Sequence, residues 1–271
     1  MLKFPAFFLW TSFILGTLLS PIQAEETSKA PAGALAKPKP MTPGGKWPKG
    51  SMERPRPVVV SPPTSSSPES AGQPPSDAIV LFGGSDLDQW ESQKTKGSPA
   101  PWKVESGWFQ IVPGTGAIVT KQKFADMQIH VEWATPAEVK GNSQGRGNSG
   151  FFIDGHPEIQ VLDSFDNDTY PDGQAAAIYN NHPPLVNASR GPGQWQTYDI
   201  IYEAPSFGPD KHMTKPARYT VFHNGILVHH ALEVSGTAVE CSISLQDHGN
   251  PVRYRNLWVR PLKGYDGEPL R

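Results

Sequence analysis

From Asp77 onward the chain alternates rather than coils. Met127-Gln128-Ile129-His130-Val131-Glu132-Trp133 sets apolar against polar residues along its length, the period of two that marks a half-buried strand. Residues 218–223 and 226–229 flank Asn224-Gly225. An Asn-Gly pair between two strands predicts a two-residue hairpin, because both residues tolerate positive φ. Further strands are predicted over residues 108–112, 117–120, 149–153, 158–162, 198–203, 240–246 and 254–260. No stretch keeps a 3.6-residue apolar period for more than about two turns, so helices are expected to be few and short. The fold class is all-β, a sandwich or barrel of many strands with turn signals between them.

The sequence before Asp77 has another texture. Residues 1–24 read as a secretory signal peptide. Lys3 supplies the positive start, residues 7–19 form an apolar run, and Ala24 ends a segment suited to cleavage. The run is too short for a comfortable membrane span of ~20 residues. Residues 25–76 are rich in Pro, Ala, Ser, Gly and Lys, as in Lys37-Pro38-Lys39-Pro40, and predict a disordered, partly polyproline linker. Its basic residues (Lys29, Lys37, Lys39, Lys46, Lys49, Arg54 and Arg56) either touch an anionic cell envelope or simply keep a solvated spacer extended. The folded part is then one domain over residues 77–265. The expected location is secreted or periplasmic, with no membrane contact beyond the signal peptide.

Lys and Arg number 24 against 26 Asp and Glu, a formal net charge of -2. That balance gives no basic surface for nucleic acid. The one cysteine, Cys241, excludes an intramolecular disulfide, so the apolar core must hold the domain by itself. Cys241 alternates with Ile243 and Leu245 and is expected to be a buried thiol.

The strand Glu158-Ile159-Gln160-Val161-Leu162-Asp163 carries most of the chemical promise. Alternation puts Glu158 and Gln160 on one face and Ile159 and Val161 in the core. A bulge near Leu162 would bring Asp163 round to the Glu158 face. The strand resembles the Glu-x-Asp-x-x-Glu catalytic strand of laminarinase-type glucanases, with Gln160 for the middle Asp and Asp163 for the last Glu. Around it stand Arg146 and Asn148 in a Gly-rich stretch, and Tyr179, Trp195 and Tyr198 as flat faces for sugar rings. Gln246, Asp247 and His248 end another strand, and Arg253 shares a face with Arg255. Gln246 and Arg253 are expected to face one site, with Asp247 orienting His248 through a hydrogen bond. There is no Cys pair, no His-x-x-x-His and no Gly-x-Ser-x-Gly. No metal ligand set or cofactor is expected, although Asp163, Asp166, Asn167, Asp168 and Asp172 form an acidic loop suited to calcium or to plain solvation.

In order along the chain, several segments resemble the 3-keto-disaccharide hydrolase domain family, of the concanavalin A-like lectin and glucanase superfamily. They include Leu81-Phe82-Gly83-Gly84 within residues 81–90, residues 102–107, Asn148-Ser149-Gly150-Phe151-Phe152, Glu158-Ile159-Gln160-Val161-Leu162-Asp163, Ala177-Ile178-Tyr179, residues 193–198, Asn224-Gly225 and residues 245–256 with Leu245-Gln246-Asp247-His248-Gly249-Asn250 and Arg253-Tyr254-Arg255-Asn256. The resemblance covers about residues 79–262 and implies a two-sheet jelly roll that cleaves glycosides oxidised at C3. From residue type and face alone, Glu158 or His248 is assigned as base and Asp163 or Asp247 as acid. Arg146, Asn148, Gln160, Tyr179, Trp195, Gln246 and Arg253 are assigned as substrate binders. The alternatives are a non-catalytic carbohydrate-binding module, a conventional laminarinase-like glucanase and a domain that docks on other envelope proteins.

Overall fold

Alternation is what builds the molecule. In the computed structural model, which describes residues 38–268, strand β6 (Met127–Ala134) buries Met127, Ile129, Val131 and Trp133 to within 1% exposure. The strands before it are β1 (Ile79–Phe82), β2 (Trp90–Ser92), β3 (Lys103–Glu105), β4 (Trp108–Gln110) and β5 (Ile118–Thr120). After it come β7 (Ser149–Ile153), β8 (Glu158–Val161), β9 (Gln196–Glu203), β10 (Ser206–Phe207) and β11 (Met213–Lys215). The last four are β12 (Ala217–His223), β13 (Ile226–Val234), β14 (Ile243–Leu245) and β15 (Arg253–Pro261). Helix is confined, among the described residues, to three-residue 3-10 turns at Ser143–Gly145, Pro171–Gly173 and Tyr265–Gly267.

Apart from β10 and β11, which pair only with each other, the strands form a two-sheet antiparallel sandwich. One sheet runs β13-β12-β9-β6-β15-β4-β3 with β1 also paired to β15, and the other runs β2-β5-β14-β7-β8. The predicted hairpin joins β12 and β13, with Asn224 at φ 51° and Gly225 at φ 78°. The Asn224 side chain does more than turn the chain, since its Oδ1 accepts from the Thr197 amide at 3.0 Å and its Nδ2 donates to Ala188 O at 2.8 Å.

Between the sheets lie Trp90, Phe109, Ile118, Trp133, Phe151, Ile159, Ile243 and Leu245, all buried. Burying each such aliphatic or phenylalanine side chain is worth about 1.5–3 kcal/mol, and no disulfide contributes because Cys241 is a buried free thiol. Two tyrosines of the larger sheet reach across this core. Tyr254 of β15 donates to Ser149 Oγ of β7 at 2.7 Å, and Ser149 Oγ donates onward to Gln246 O at 2.6 Å. Tyr198 of β9 donates to Gln160 O of β8 at 2.7 Å. Tyr198 is thus a core strut and offers no face to a ligand.

Two units divide the chain, one ending at Glu53 and one beginning at Arg54. In the first, Met41 bridges to Pro48 and the Thr42 amide donates to Trp47 O at 2.7 Å. The signal-like segment, with Lys29 and Lys37 of the basic tract, lies outside the described residues. Among the described residues no helix is long and apolar enough to cross a membrane. In the second unit, the stretch from Arg54 to Ser76 has no regular secondary structure, yet part of it lies against the larger sheet. The Thr64 amide donates to Gln73 O at 3.0 Å, closing a loop. Arg255 donates to Ser67 O at 2.6 Å and to Pro68 O at 3.3 Å, while the Ser66 hydroxyl donates to Glu132. We call this stretch the strap.

The struts give a stability prediction. Tyr254→Phe and Tyr198→Phe keep the packing and each delete one buried hydrogen bond, so each is expected to lower the unfolding free energy by about 1–2 kcal/mol. Chemical denaturation of the two variants measures it.

Candidate functional site

The register of β14, β7 and β8 sets a row of residues across three strands. Gly150 pairs with Gln160, and Leu245 pairs with Phe151, so Gln246 falls beside Gly150 and its amide donates to Gly150 O at 3.0 Å. Phe151, Ile159 and Leu245 enter the core. Gly150, Gln160 and Gln246 therefore turn outward, and Phe152, Glu158 and Ser244 form the next outward row. Gly150 leaves a gap that its neighbours use. A Cβ on it would lie 2.3 Å from Glu158 Oε1 and 2.7 Å from Phe152 Cε2, so the carboxyl occupies space that any other residue would fill.

Polar atoms on this face lack partners. Asn148 Nδ2 donates to Gln144 O at 2.6 Å, and Gln160 Nε2 donates to Gln144 Oε1 at 2.9 Å. Gln144 is itself held by donating to Thr169 Oγ1 and Gly173 O, both at 2.9 Å. Yet Asn148 Oδ1, Gln160 Oε1 and Gln246 Oε1 are buried and accept nothing among the described residues. An orphaned buried acceptor costs about 1–3 kcal/mol, and three on one face are expected where a ligand supplies the donors. The Glu158 carboxyl likewise makes no hydrogen bond or ion pair among the described residues. Its burial pushes the carboxyl up to about 7, which leaves it able to take or give a proton at neutral pH. Beside it, the Tyr179 amide donates to Glu158 O at 3.0 Å, and the Tyr179 and Tyr170 hydroxyls share a hydrogen bond at 2.5 Å.

The other expected residues lie elsewhere or are already engaged. β8 ends at Val161, and no bulge swings Asp163 to the Glu158 face. Arg146 Nε donates instead to Asp163 Oδ2 at 2.7 Å, and its other nitrogens donate to Phe165 O and Asp166 O. That pair fastens a loop and turns the Asp163 carboxylate toward Arg146. Asp247 does not orient His248. Its two oxygens accept from the Gly116 and Gly249 amides, both at 2.9 Å, and so hold a turn. His248 is exposed in that turn.

Arg253 and Trp195 sit on the opposite side of the sandwich from Gln246. Tyr254 points into the core, so Arg253 and Arg255 must project from the outer face of the larger sheet. The expected meeting of Arg253 with Gln246 therefore does not occur. Arg253 lies 5.4 Å from the ring centre of Trp108 and 5.3 Å from that of Trp195, and Arg255 lies 4.2 Å from Trp195. These contacts are cation–π in kind.

This second face carries residues that sequence reasoning does not single out. A cleft of about 660 Å³ is bounded by the strap on one side and by His130, Glu132, Asp199, Arg253 and Trp258 on the other. Arg255 Nε donates to Glu132 Oε2 at 2.6 Å, and Asn256 Nδ2 donates to Glu132 Oε1 at 2.8 Å. Burial opposes the Glu132 charge, but its donors His130, Ser66, Asn256 and Arg255 outweigh that and pull it down to about 2. Burial also opposes the His130 charge, yet hydrogen bonds to Asp199 at 2.7 Å and to Glu132 push it up to about 9. The available signal is the polar half of β6, where Gln128, His130 and Glu132 alternate with the core residues. Among the described residues, no group of three or more His, Cys, Asp and Glu side chains is placed to hold a metal ion.

The packing around Gly150 has measurable consequences. Gly150→Ala forces Glu158 and Phe152 aside, an overpacking expected to cost about 1–3 kcal/mol, which a melting curve measures. The second consequence concerns pH. Between about 4.5 and 7 the unfolded chain ionises Glu158 while the folded chain keeps its proton. Stability therefore falls as pH rises through that window and is level above it. Glu158→Gln should abolish that fall of about 3 kcal/mol, read from unfolding free energies across the pH range.

Comparison with known proteins bears on the family and the fold. Residues 77–260 match the 3-keto-alpha-glucoside-1,2-lyase-like domain. A 3-keto-disaccharide hydrolase of Bacteroides thetaiotaomicron is 24% identical over an alignment 249 positions long that covers 68% of this chain and 78% of that protein. A crystal structure of a Parabacteroides distasonis protein that carries a glycosyl hydrolase name, solved at 2.13 Å, is 41% identical with a TM-score of 0.73. It covers 82% of this chain and 100% of its own. Residues 77–271 are less than three quarters of the chain, so that likeness reaches into the segment before Asp77. A second structure of that name from the same organism, solved at 1.70 Å, is 19% identical with a TM-score of 0.52, covers 69% of this chain and 94% of its own, and shares the fold. With the family match spanning most of its length, the chain belongs to the 3-keto-alpha-glucoside-1,2-lyase-like domain family.

Proposed function

We propose that this protein cleaves glycosides whose C3 hydroxyl has been oxidised to a ketone, on the outer face of the five-stranded sheet around Gly150. The observation that carries the reading is Glu158, a carboxyl without a partner and poised near pH 7, set among three amide oxygens that nothing satisfies. The name of the Bacteroides relative, 3-keto-disaccharide hydrolase, supports the substrate class. The signal-like residues 1–24 support work outside the cytoplasm.

A ketone at C3 acidifies the proton on C2. Glu158 removes that proton as general base, leaving an enolate across C2 and C3. The outward Gln246 amide donates to the enolate oxygen, while Asn148 Oδ1 and Gln160 Oε1 accept sugar hydroxyls. Collapse of the enolate breaks the bond from C1 to the leaving oxygen, which takes up a proton. Water then adds across the new double bond, and the sum is hydrolysis. The returning proton comes either from His248, exposed just after Gln246, or from the Tyr170 and Tyr179 hydroxyl pair. Comparing His248→Gln with Tyr179→Phe separates the two, since the variant that loses kcat marks the acid.

A non-catalytic saccharide-binding site would also use unmet amide oxygens, but it has no need of a carboxyl held near neutrality. The test is release of a phenol from its 3-keto-glucoside and from the ordinary glucoside. The proposal expects release from the first alone, with kcat/KM rising through an apparent pKa near 7. Glu158→Gln is expected to lower kcat by about 10²–10⁴-fold while the protein stays folded. Cleavage of the ordinary glucoside alone would make the protein a conventional glucanase. Saccharide binding without any turnover would make it a lectin.

A further inference from the structure

The cleft under the strap lies on the other outer face of the sandwich and takes no part in the chemistry just described. Its charges do not cancel. Glu132 is fully used by Arg255, Asn256, His130 and Ser66, and Asp199 is used by His130. Among the described residues Arg253 pairs with no carboxylate. Its guanidinium makes one hydrogen bond, to Gly193 O at 3.3 Å, and is held beside Trp108 and Trp195. A guanidinium has five N–H donors, so most of its capacity is unspent although burial already opposes its charge. Arg190, on the same cleft, donates to Trp195 O and likewise pairs with no carboxylate among the described residues. Trp258 is 3% exposed and its buried Nε1 donor has no acceptor. Every carboxylate here is spoken for while the donors are in surplus.

From this imbalance we infer that the strap cleft binds an anionic saccharide, with the sugar's carboxylate on the Arg253 guanidinium. A carboxylate matches the planar fork in two parallel hydrogen bonds. The indoles of Trp195 and Trp108 fix the guanidinium in place, so little side-chain freedom is lost on binding. A cleft of about 660 Å³ falls in the usual range for organic ligands and exceeds what a lone anion needs. The strap wall is polar and backbone-rich, from Pro63 through Pro68, which suits sugar hydroxyls. The site is independent of the proposed cleavage, because none of its residues faces Gly150.

The experiment is calorimetric titration of the full mature chain with a glucuronate-containing disaccharide, its neutral glucose counterpart, acetate and inorganic sulfate. The inference expects the acidic disaccharide to bind at least tenfold more tightly than the other three. Arg253→Gln should weaken that binding at least tenfold, Arg253→Lys should weaken it less, and Glu158→Gln should leave it unchanged. Arg190→Gln provides a second reading should Arg253→Gln fail to fold, and it too should weaken the acidic disaccharide selectively. Equal binding of the neutral disaccharide, undiminished binding by the folded Arg variants, binding of acetate or sulfate as tight as that of the sugar acid, or no binding of the acidic disaccharide would each overturn it. Loss of binding in Glu158→Gln would overturn the placement on this face.

Discussion

Two tyrosine hydroxyls tie the sheets together directly beneath the candidate site. Tyr254 bonds through Ser149 to the carbonyl of Gln246, and Tyr198 bonds to the carbonyl of Gln160. The same two residues, Gln246 and Gln160, turn their side chains outward on either side of Gly150. Their backbones are fixed from inside the core while their amide oxygens remain unmet outside it. A site built this way has its geometry set by the scaffold and its polarity left for a ligand, the division of labour that pre-organised sites need. Buried, unpartnered polar groups cost stability, so this face lowers the folding free energy that the apolar core supplies.

Alternation explains why the chain has two such faces. One core serves both sheets, and each strand crossing it commits every second residue outward. Phe151, Ile159 and Leu245 send Gly150, Glu158 and Gln246 to one side of the sandwich. Tyr254 sends Arg253 and Arg255 to the other. On that second side the outward residues include a buried ion pair, Glu132 with Arg255, which is costly to desolvate unless its remaining groups are bonded. Asn256, His130, Ser66, Ser67 and Pro68 supply those bonds, so the strap completes the pair.

Much of this is legible in the amino-acid sequence. The alternating run of β6 and the Asn224-Gly225 turn identify strands directly, because the period of two and positive φ are local properties. The bounds expected for Ser149–Ile153 match β7 to the residue, and Glu158, Gln160, Asn148 and Gln246 fall near one another by face alone. What fails depends on information that alternation does not contain. Gln246 and Arg253 are seven positions apart, and no local rule says that their strands belong to different sheets. Asp163 and Asp247 have the residue type of a catalytic acid, but their partners, Arg146 and the amide of Gly116, are chosen by loops. Pro- and Ser-rich sequence reads as a free linker when its composition is weighed alone. Ser66, Ser67 and Pro68 of the strap instead bond to Glu132 and Arg255, which lie far along the chain.

The proposed cleavage lies on the face around Gly150 and not in the cleft under the strap. Hydrogen exchange with a bound, uncleavable 3-keto-glucoside analogue distinguishes the two faces, because it reports backbone protection by segment. The assignment predicts new protection over Asn148–Gly150, Glu158–Gln160 and the turn after Gln246, with the β6 and β15 amides near His130 and Arg253 unchanged. Protection confined to β6, β15 and the strap would contradict it and move the catalytic centre to the other side of the sandwich.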